Sequence, residues 1–214
     1  MTGADVFKKL LEKGFLSHYE WSDLDDFSKF LAIMQNAKWA KTQKSLENLK
    51  NIKNIQDLAL VNKDELANLI KPSGFYNTKA KQMSDLANAI LKDFGDFESF
   101  LQNASYEWLI NIKGIGWDTT ASLLNHLCKK PFFVINANAR KLVDMLGYEA
   151  GDYYEANEIL SSGLDDEYFY NTLNVDELAE IYTIFNATID NFLSTHFKNK
   201  ELSNEGRNII MELL

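Results

Sequence analysis

The sequence predicts an all-α protein, and three observations carry that expectation. Apolar residues recur at helical spacing in almost every segment. No stretch alternates apolar and polar residues at period two, and no Asn-Gly or Asp-Gly pair marks a hairpin turn. The one strand-like run, Phe132-Phe133-Val134-Ile135, is too short to build a sheet.

Taken in order, Ala4–Lys13 carries Phe7, Leu10 and Leu11 on one face. Ser22 or Asp23 caps a helix from Leu24 to Gln35 whose apolar stripe is Leu24, Phe27, Phe30, Leu31 and Met34. Lys38–Leu49 continues with Trp39, Leu46 and Leu49. Asn54 or Asp57 opens a short helical turn, and Asn62-Lys63-Asp64-Glu65 opens another with Leu66, Leu69 and Ile70. Pro72-Ser73-Gly74 stops it, since proline and glycine both punctuate helices. Asn77–Phe94 is long and amphipathic, Phe97–Leu101 and Tyr106–Asn111 are short, and Trp117–Lys129 follows. Ala137–Leu146, Asp152–Ser161, Val175–His196 and Asn204–Leu214 complete the set. The expected count is about ten to fourteen helices, with no internal repeat.

A length of 214 residues suits one large domain or two small ones, with enough chain for a sizeable core. No apolar run approaches membrane-spanning length, and the N-terminus lacks the basic-then-apolar order of a signal peptide, which points to the cytoplasm. Cys128 is the only cysteine, so neither an intrachain disulfide nor a cysteine-ligated cluster can form. The net charge of −9 argues against a general nucleic-acid coat. Its distribution is uneven: Lys38, Lys41, Lys44, Lys50 and Lys53 face a single acid, Glu47, within their stretch, whereas Leu142–Phe197 contains no Lys or Arg. One basic face on an acidic protein suits local contact with DNA and limits non-specific adhesion. Taken singly, each of these lysines also fits a solvated helix face.

Lys113-Gly114-Ile115-Gly116 joins two helical patterns, with Trp108-Leu109-Ile110 before it and Ala121-Ser122-Leu123-Leu124 after it. Glycines remove the Cβ atoms that would hold a phosphate away, and the following helix start supplies oriented N–H groups. Such a hairpin grips an anionic backbone without reading sequence. A tight helix–helix turn with a glycine at each end accounts for the same four residues.

Four elements in order extend that reading. Trp108 to Ala121 (WLINIKGIGWDTTA) resembles the helix–hairpin–helix of the endonuclease III superfamily of DNA glycosylases. Val134-Ile135-Asn136-Ala137-Asn138-Ala139-Arg140 resembles the segment in which that family carries Val-x-Asp. Gly74-Phe75-Tyr76-Asn77-Thr78-Lys79-Ala80 is similar to its Gly-x-Tyr-Asn-x-Lys-Ala element, and Met34-Gln35-Asn36 to its Gln-containing helix end. Lys71–Lys81 and Lys44–Lys50 are similar to the 3-methyladenine DNA glycosylase III subgroup. The resemblance implies a two-lobed fold with the base pocket between the lobes. One lobe would span 22–131, a helical barrel ending in the helix–hairpin–helix at about 104–130; 1–21 plus 132–214 would form the other. It further implies a monomer acting on double-stranded DNA that contains an alkylated base, with no membrane partner.

Excision of a damaged base requires flipping the nucleotide out, at a cost of about a few kcal/mol, into a pocket that recognises it by stacking. N3- and N7-alkylated purines are cationic, and an electron-rich ring face attracts them. By resemblance Trp39 is the pocket aromatic, and Trp21 or Tyr19 opposes it, with His18 a weaker candidate. Each also fits an ordinary packing role. Phe75 would intercalate where the base has left, and Gln35 would fill the gap. Lys113, Gly114, Ile115, Gly116 and Asp118 would meet the DNA backbone. The family's carboxylate position is Asn136, an amide with no charge and no basicity. Its loss in a dry site is worth on the order of 10² or more in rate. A deliberate Asp-to-Asn replacement that holds substrate without turnover is the favoured explanation, and a natural member with lost or relocated activity is the other. Asp118 stands where members that also cut the backbone carry a lysine nucleophile, so the resemblance implies a monofunctional hydrolase. No iron–sulfur cluster and no other metal site is expected, though the hairpin leaves a place for a monovalent cation. His126 and His196 show no ligand spacing. A glycosylase for another lesion, or a non-catalytic helix–hairpin–helix DNA-binding protein, are the alternatives.

Overall fold

The computed structural model describes residues 1–148 and 152–214, and they contain fourteen α-helices. In chain order these are α1 (Gly3–Glu12), α2 (Asp26–Gln35), α3 (Trp39–Asn48), α4 (Ile55–Leu60), α5 (Lys63–Leu69), α6 (Tyr76–Phe94), α7 (Phe97–Asn103) and α8 (Tyr106–Ile110). Then follow α9 (Trp117–Ser122), α10 (Ala137–Met145), α11 (Tyr153–Ser161), α12 (Glu167–Leu173), α13 (Leu178–His196) and α14 (Asn204–Met211). The chain divides into two compact units, Glu20–Cys128 and Met1–Tyr19 with Lys129–Leu214. The unit borders fall at 19/20 and 128/129, against 21/22 and 131/132 read from the sequence.

Each unit is organised around one 19-residue helix. In Glu20–Cys128 that helix is α6, against which α2, α4, α5 and α7 pack. Its buried residues Ala80, Met83, Leu86, Ala87 and Ile90 follow the helical period and join Phe30, Leu58, Leu66, Phe100 and Leu109 in one core. Short helices here start on side-chain caps that satisfy orphan N–H groups: Asp25 to Ser28, Asn54 to Asp57, Asn62 to Asp64, Asp96 to Ser99 and Ser105 to Trp108.

The other unit is built on α13, which buries twelve of its nineteen residues and packs against α1, α10, α12 and α14. The N-terminal α1 is fixed by a capping box between Thr2 and Asp5 and by the Ser162 Oγ accepting from Gly3 N at 2.8 Å. Phe7 then lies between Phe185, centroid distance 4.5 Å, and Phe169, at 5.1 Å, and is fully buried.

Three elements differ from the sequence expectation. Phe132–Ile135 is irregular backbone rather than a strand; Phe133, Val134 and Ile135 are buried, and Tyr153 and Asn157 hydrogen-bond to the Phe133 carbonyl. The sheet among the described residues is instead a minimal hairpin, Phe197–Lys198 against Glu201–Leu202. Its turn residues Asn199 and Lys200 both adopt positive φ, as a two-residue hairpin requires, so the turn geometry is present without an Asn-Gly signature. Helix α12 was hidden by its four aromatic or apolar residues in seven, yet Asp166 caps it through Tyr168 N. Replacing Phe7 by alanine should lower unfolding stability by about 3–5 kcal/mol, as read by chemical denaturation, because three packed rings lose their centre.

Candidate functional site

In the unit Glu20–Cys128, α8 and α9 flank the hairpin Asn111–Gly116. Ile115 plugs the turn into the core at 5% exposure, and Ile112 and Ile115 N–H groups close it onto the Leu109 and Ile112 carbonyls. The two glycines serve different ends. Gly114 has φ +90° and its missing Cβ would strike Gln82, whose Nε2 donates to the Gly114 carbonyl at 2.8 Å. Gly116 is the N-cap of α9, donates no side-chain cap, and faces open space. Its bare surface is the one that lets another molecule approach the α9 start. Lys113 and Asp118 are exposed beside it. Beyond Ser122 the helix widens into a π-turn over Leu123–Leu127, a distortion the sequence did not announce and one often found at functional sites.

Phe75 is 87% exposed and sits at φ +47°, left-handed backbone that a bulky residue adopts at a cost of about 1–2 kcal/mol. The strain is held by neighbours: Ser73 Oγ donates to the Ile70 carbonyl and Lys79 Nζ to the Ser73 carbonyl. Burial, with Lys41 nearby, pulls the Lys79 ammonium below its ordinary range, and Lys71 lies over the Tyr76 ring. Phe75 is thus a strained, exposed aromatic tip on a turn that also carries Lys71 and Lys79. Gln35 does not share that exposure. It is fully buried at the end of α2, with Nε2 donating to the Leu31 carbonyl and Oε1 lacking a partner. Helix packing has drawn this apparently terminal residue inward, and a Gln35 that fills a gap in DNA would have to leave that buried position.

Trp39 is the first residue of α3 and half-buried, as is Trp21 in the turn before α2. Trp21 meets the His126 ring edge-on at 5.1 Å. His126 lies in the π-turn, 3.2 Å from the Asn125 amide nitrogen, and burial pushes its imidazole from 6.5 down to about 3. It is therefore a neutral ring packed against Trp21.

In the other unit, Asn136 is the N-cap of α10. Its Oδ1 accepts from Asn138 N at 2.9 Å and Ala139 N at 2.8 Å. Those two N–H groups settle the amide's orientation, so Nδ2 points elsewhere and lies 3.5 Å from Asp190 Oδ1. The same Oδ1 accepts from Asn138 Nδ2 at 2.8 Å, and Tyr19 O–H donates to Asp190 Oδ2 at 2.9 Å. Burial raises the Asp190 carboxyl above its ordinary range, against the pull of the Asn138, Tyr19 and Asn136 hydrogen bonds. Tyr19, placed among the pocket aromatics by the sequence, thus has its hydroxyl committed to a carboxylate. Asp190 escaped the sequence reading, although one signal was there: it is the only charged residue between Ile181 and Thr195, within an apolar helix.

A helix–hairpin–helix followed by a capped helix carrying the site amide defines the class. The chain belongs to the HhH-GPD superfamily of base excision DNA repair proteins, whose family model matches residues 31–166. Its fold is shared with DNA glycosylases. The crystal structure of the Helicobacter pylori 3-methyladenine DNA glycosylase bound to 1,N6-ethenoadenine is similar with TM-score 0.83 and 30% identity, covering 91% of this chain and 98% of that one. A Methanocaldococcus jannaschii protein named as a DNA repair glycosylase is 25% identical over 171 residues, 74% of this chain and 77% of the relative. A trapped endonuclease III–DNA covalent intermediate shares the fold at TM-score 0.67 and 16% identity, over 97% of this chain and 98% of that one. No helix among the described residues is long and apolar enough to cross a membrane.

Two outcomes follow from these contacts. Asparagine tolerates left-handed backbone and the Phe75 ring buries little, so Phe75→Asn should raise stability by about 0.5–1 kcal/mol in equilibrium denaturation. For His126, the unfolded chain binds a proton below 6.5 that the folded chain refuses until about 3. Stability is therefore full above 6.5 and falls as pH drops through that window. Thermal melts of His126→Gln should show a flatter profile between those two values than the parent.

Proposed function

We propose that this chain is a monofunctional DNA glycosylase that flips out alkylated purines, 3-methyladenine foremost, and hydrolyses the N-glycosidic bond to leave an abasic site. The likeness to a 3-methyladenine DNA glycosylase over almost the whole of both chains carries this reading. The strained, exposed Phe75 in its basic surroundings supports a wedge into duplex DNA. Trp39 and Trp21 offer half-open indole faces of the kind that attract a cationic purine, by about 1–2 kcal/mol when desolvated. Lys113, Gly114 and Gly116 would turn backbone N–H groups and a positive charge to the phosphates, with Ile115 anchoring the turn in the core, and a monovalent cation at the hairpin would add to that grip.

The chemistry asked of the protein is limited. An alkylated purine leaves as a neutral base, so no strong general acid is needed; the sugar's developing positive charge and the attacking water are what remain. Asp118 carries no amine, which supports hydrolysis without a Schiff base and without strand cleavage. The reading needs no metal, and one cysteine cannot hold an iron–sulfur cluster. It also treats the protein as a monomer on its DNA.

Asn136 leaves two accounts of turnover. A carboxylate replaced by its amide would bind the lesion and stall. A natural site would keep an anion nearby, and the Asp190 contact favours that account. The test is base release from methylated duplex DNA by this chain and by Asn136→Asp, with borohydride trapping as control. Free 3-methyladenine from at least one of the two, with no trapped adduct, is the expected result. If neither releases any alkylated base while both bind duplex DNA, the chain is a helix–hairpin–helix binding module instead.

A further inference from the structure

Asp190 is a carboxylate taken largely out of water with neutral donors only. Tyr19 O–H, Asn138 Nδ2 and Asn136 Nδ2 hold it, and among the described residues no Lys, Arg or His pairs with it. Lys141 of the adjoining α10 lies over the Phe197 ring instead. An anion used only as a structural tie would gain more from a cation than from three dipoles, since an uncompensated buried charge is costly. What the arrangement lacks is a positive charge, and the sugar of a departing base develops one. Oδ1 already accepts two hydrogen bonds and Oδ2 one, which leaves Oδ2 room for a further donor such as water.

Resting on the glycosylase reading above, we propose that Asp190 is the catalytic carboxylate of this chain, moved onto α13 from the position that Asn136 occupies. The bond from C1′ to the purine nitrogen breaks with its electron pair going to the cationic base, which leaves neutral. Water adds to C1′, and its proton passes to Asp190 and then to solvent. Asn136 becomes a positioning residue. Its Oδ1 is spent on the α10 cap, and its Nδ2 steadies Asp190. A carboxylate at 136 would set a second negative oxygen about where Nδ2 now lies, 3.5 Å from Asp190 Oδ1, and the two acids could not both ionise freely. The amide at 136 and the acid at 190 are thus one unit carrying a single negative charge.

The groups that face Asp190 bear on its pH response. Tyr19 is the titratable one, from the N-terminal segment; Asn136 and Asn138 from α10 are neutral, and α13 carries no other charge within a turn. Burial raises the Asp190 carboxyl, so excision should fall on the acid side at a pH above the ordinary carboxylate range. Removing the Tyr19 hydrogen bond raises it further.

Single-turnover release of 3-methyladenine and 7-methylguanine from methylated duplex DNA, followed across pH, tests this on the parent, Asp190→Asn, Asn136→Asp and Tyr19→Phe. The parent should release base, Asp190→Asn should lose about 10²-fold or more, and Tyr19→Phe should move the acid limb to higher pH while still folding cooperatively. The Tyr19→Phe shift stands as evidence even if Asp190→Asn fails to fold. A silent parent beside an active Asn136→Asp would overturn the assignment and leave the glycosylase reading intact. So would an Asp190→Asn protein that keeps the parent's rate and acid limb. Silence from all of them would remove both readings together.

Discussion

The closure of the first nineteen residues onto α13 is the constraint from which the unit holding Asn136 takes its form. Phe7 is stacked between rings from α12 and α13, and the α1 start is tied to Ser162. The chain then runs on along α13, where Asn191 Nδ2 donates to the Phe15 carbonyl, Ser17 N donates to Thr188 Oγ1, and Tyr19 reaches Asp190. These contacts join residues more than 170 positions apart. Without that closure Asp190 would have two neutral donors rather than three, and its carboxylate would be both wetter and less fixed.

The hairpin unit follows a different logic. There the core around α6 is assembled from short helices in chain order, each started by its own cap, so the unit is built mostly of local decisions. Strain is concentrated where that local order is broken: the left-handed Phe75, the Gly114 turn braced by Gln82, and the π-turn that turns His126 toward Trp21. Each is at or beside a residue that the resemblance associates with DNA. A scaffold of ordinary helices with a few enforced exceptions is what a protein needs if it is to hold a wedge and an aromatic ring in place against a flexible polymer.

Much of this was legible from the chain. Helical periodicity gives the class, and the glycine hairpin, the Gly74–Ala80 element and the Val134–Arg140 segment give the family, because each rests on backbone needs that only certain residues meet. The exposed Phe75 was also readable, since Pro72-Ser73-Gly74 forces a turn just before it. The burial of Gln35 was not legible, for the opposite reason. A polar residue at a helix end normally faces water, and only the packing of α2 into its unit buries it.

What the sequence determined by itself is the fold class, the hairpin, and the fact that the family's acidic position holds an amide. Whether a negative charge nonetheless stands at that place could not follow from it. Asn136 and Asp190 are 54 residues apart and share no motif. Hydrogen bonds between side chains so distant in sequence depend on how α10 and α13 cross, and that crossing is set by the summed burial of many apolar residues. Only the tertiary structure could decide it, and it brings a carboxylate to the amide's side.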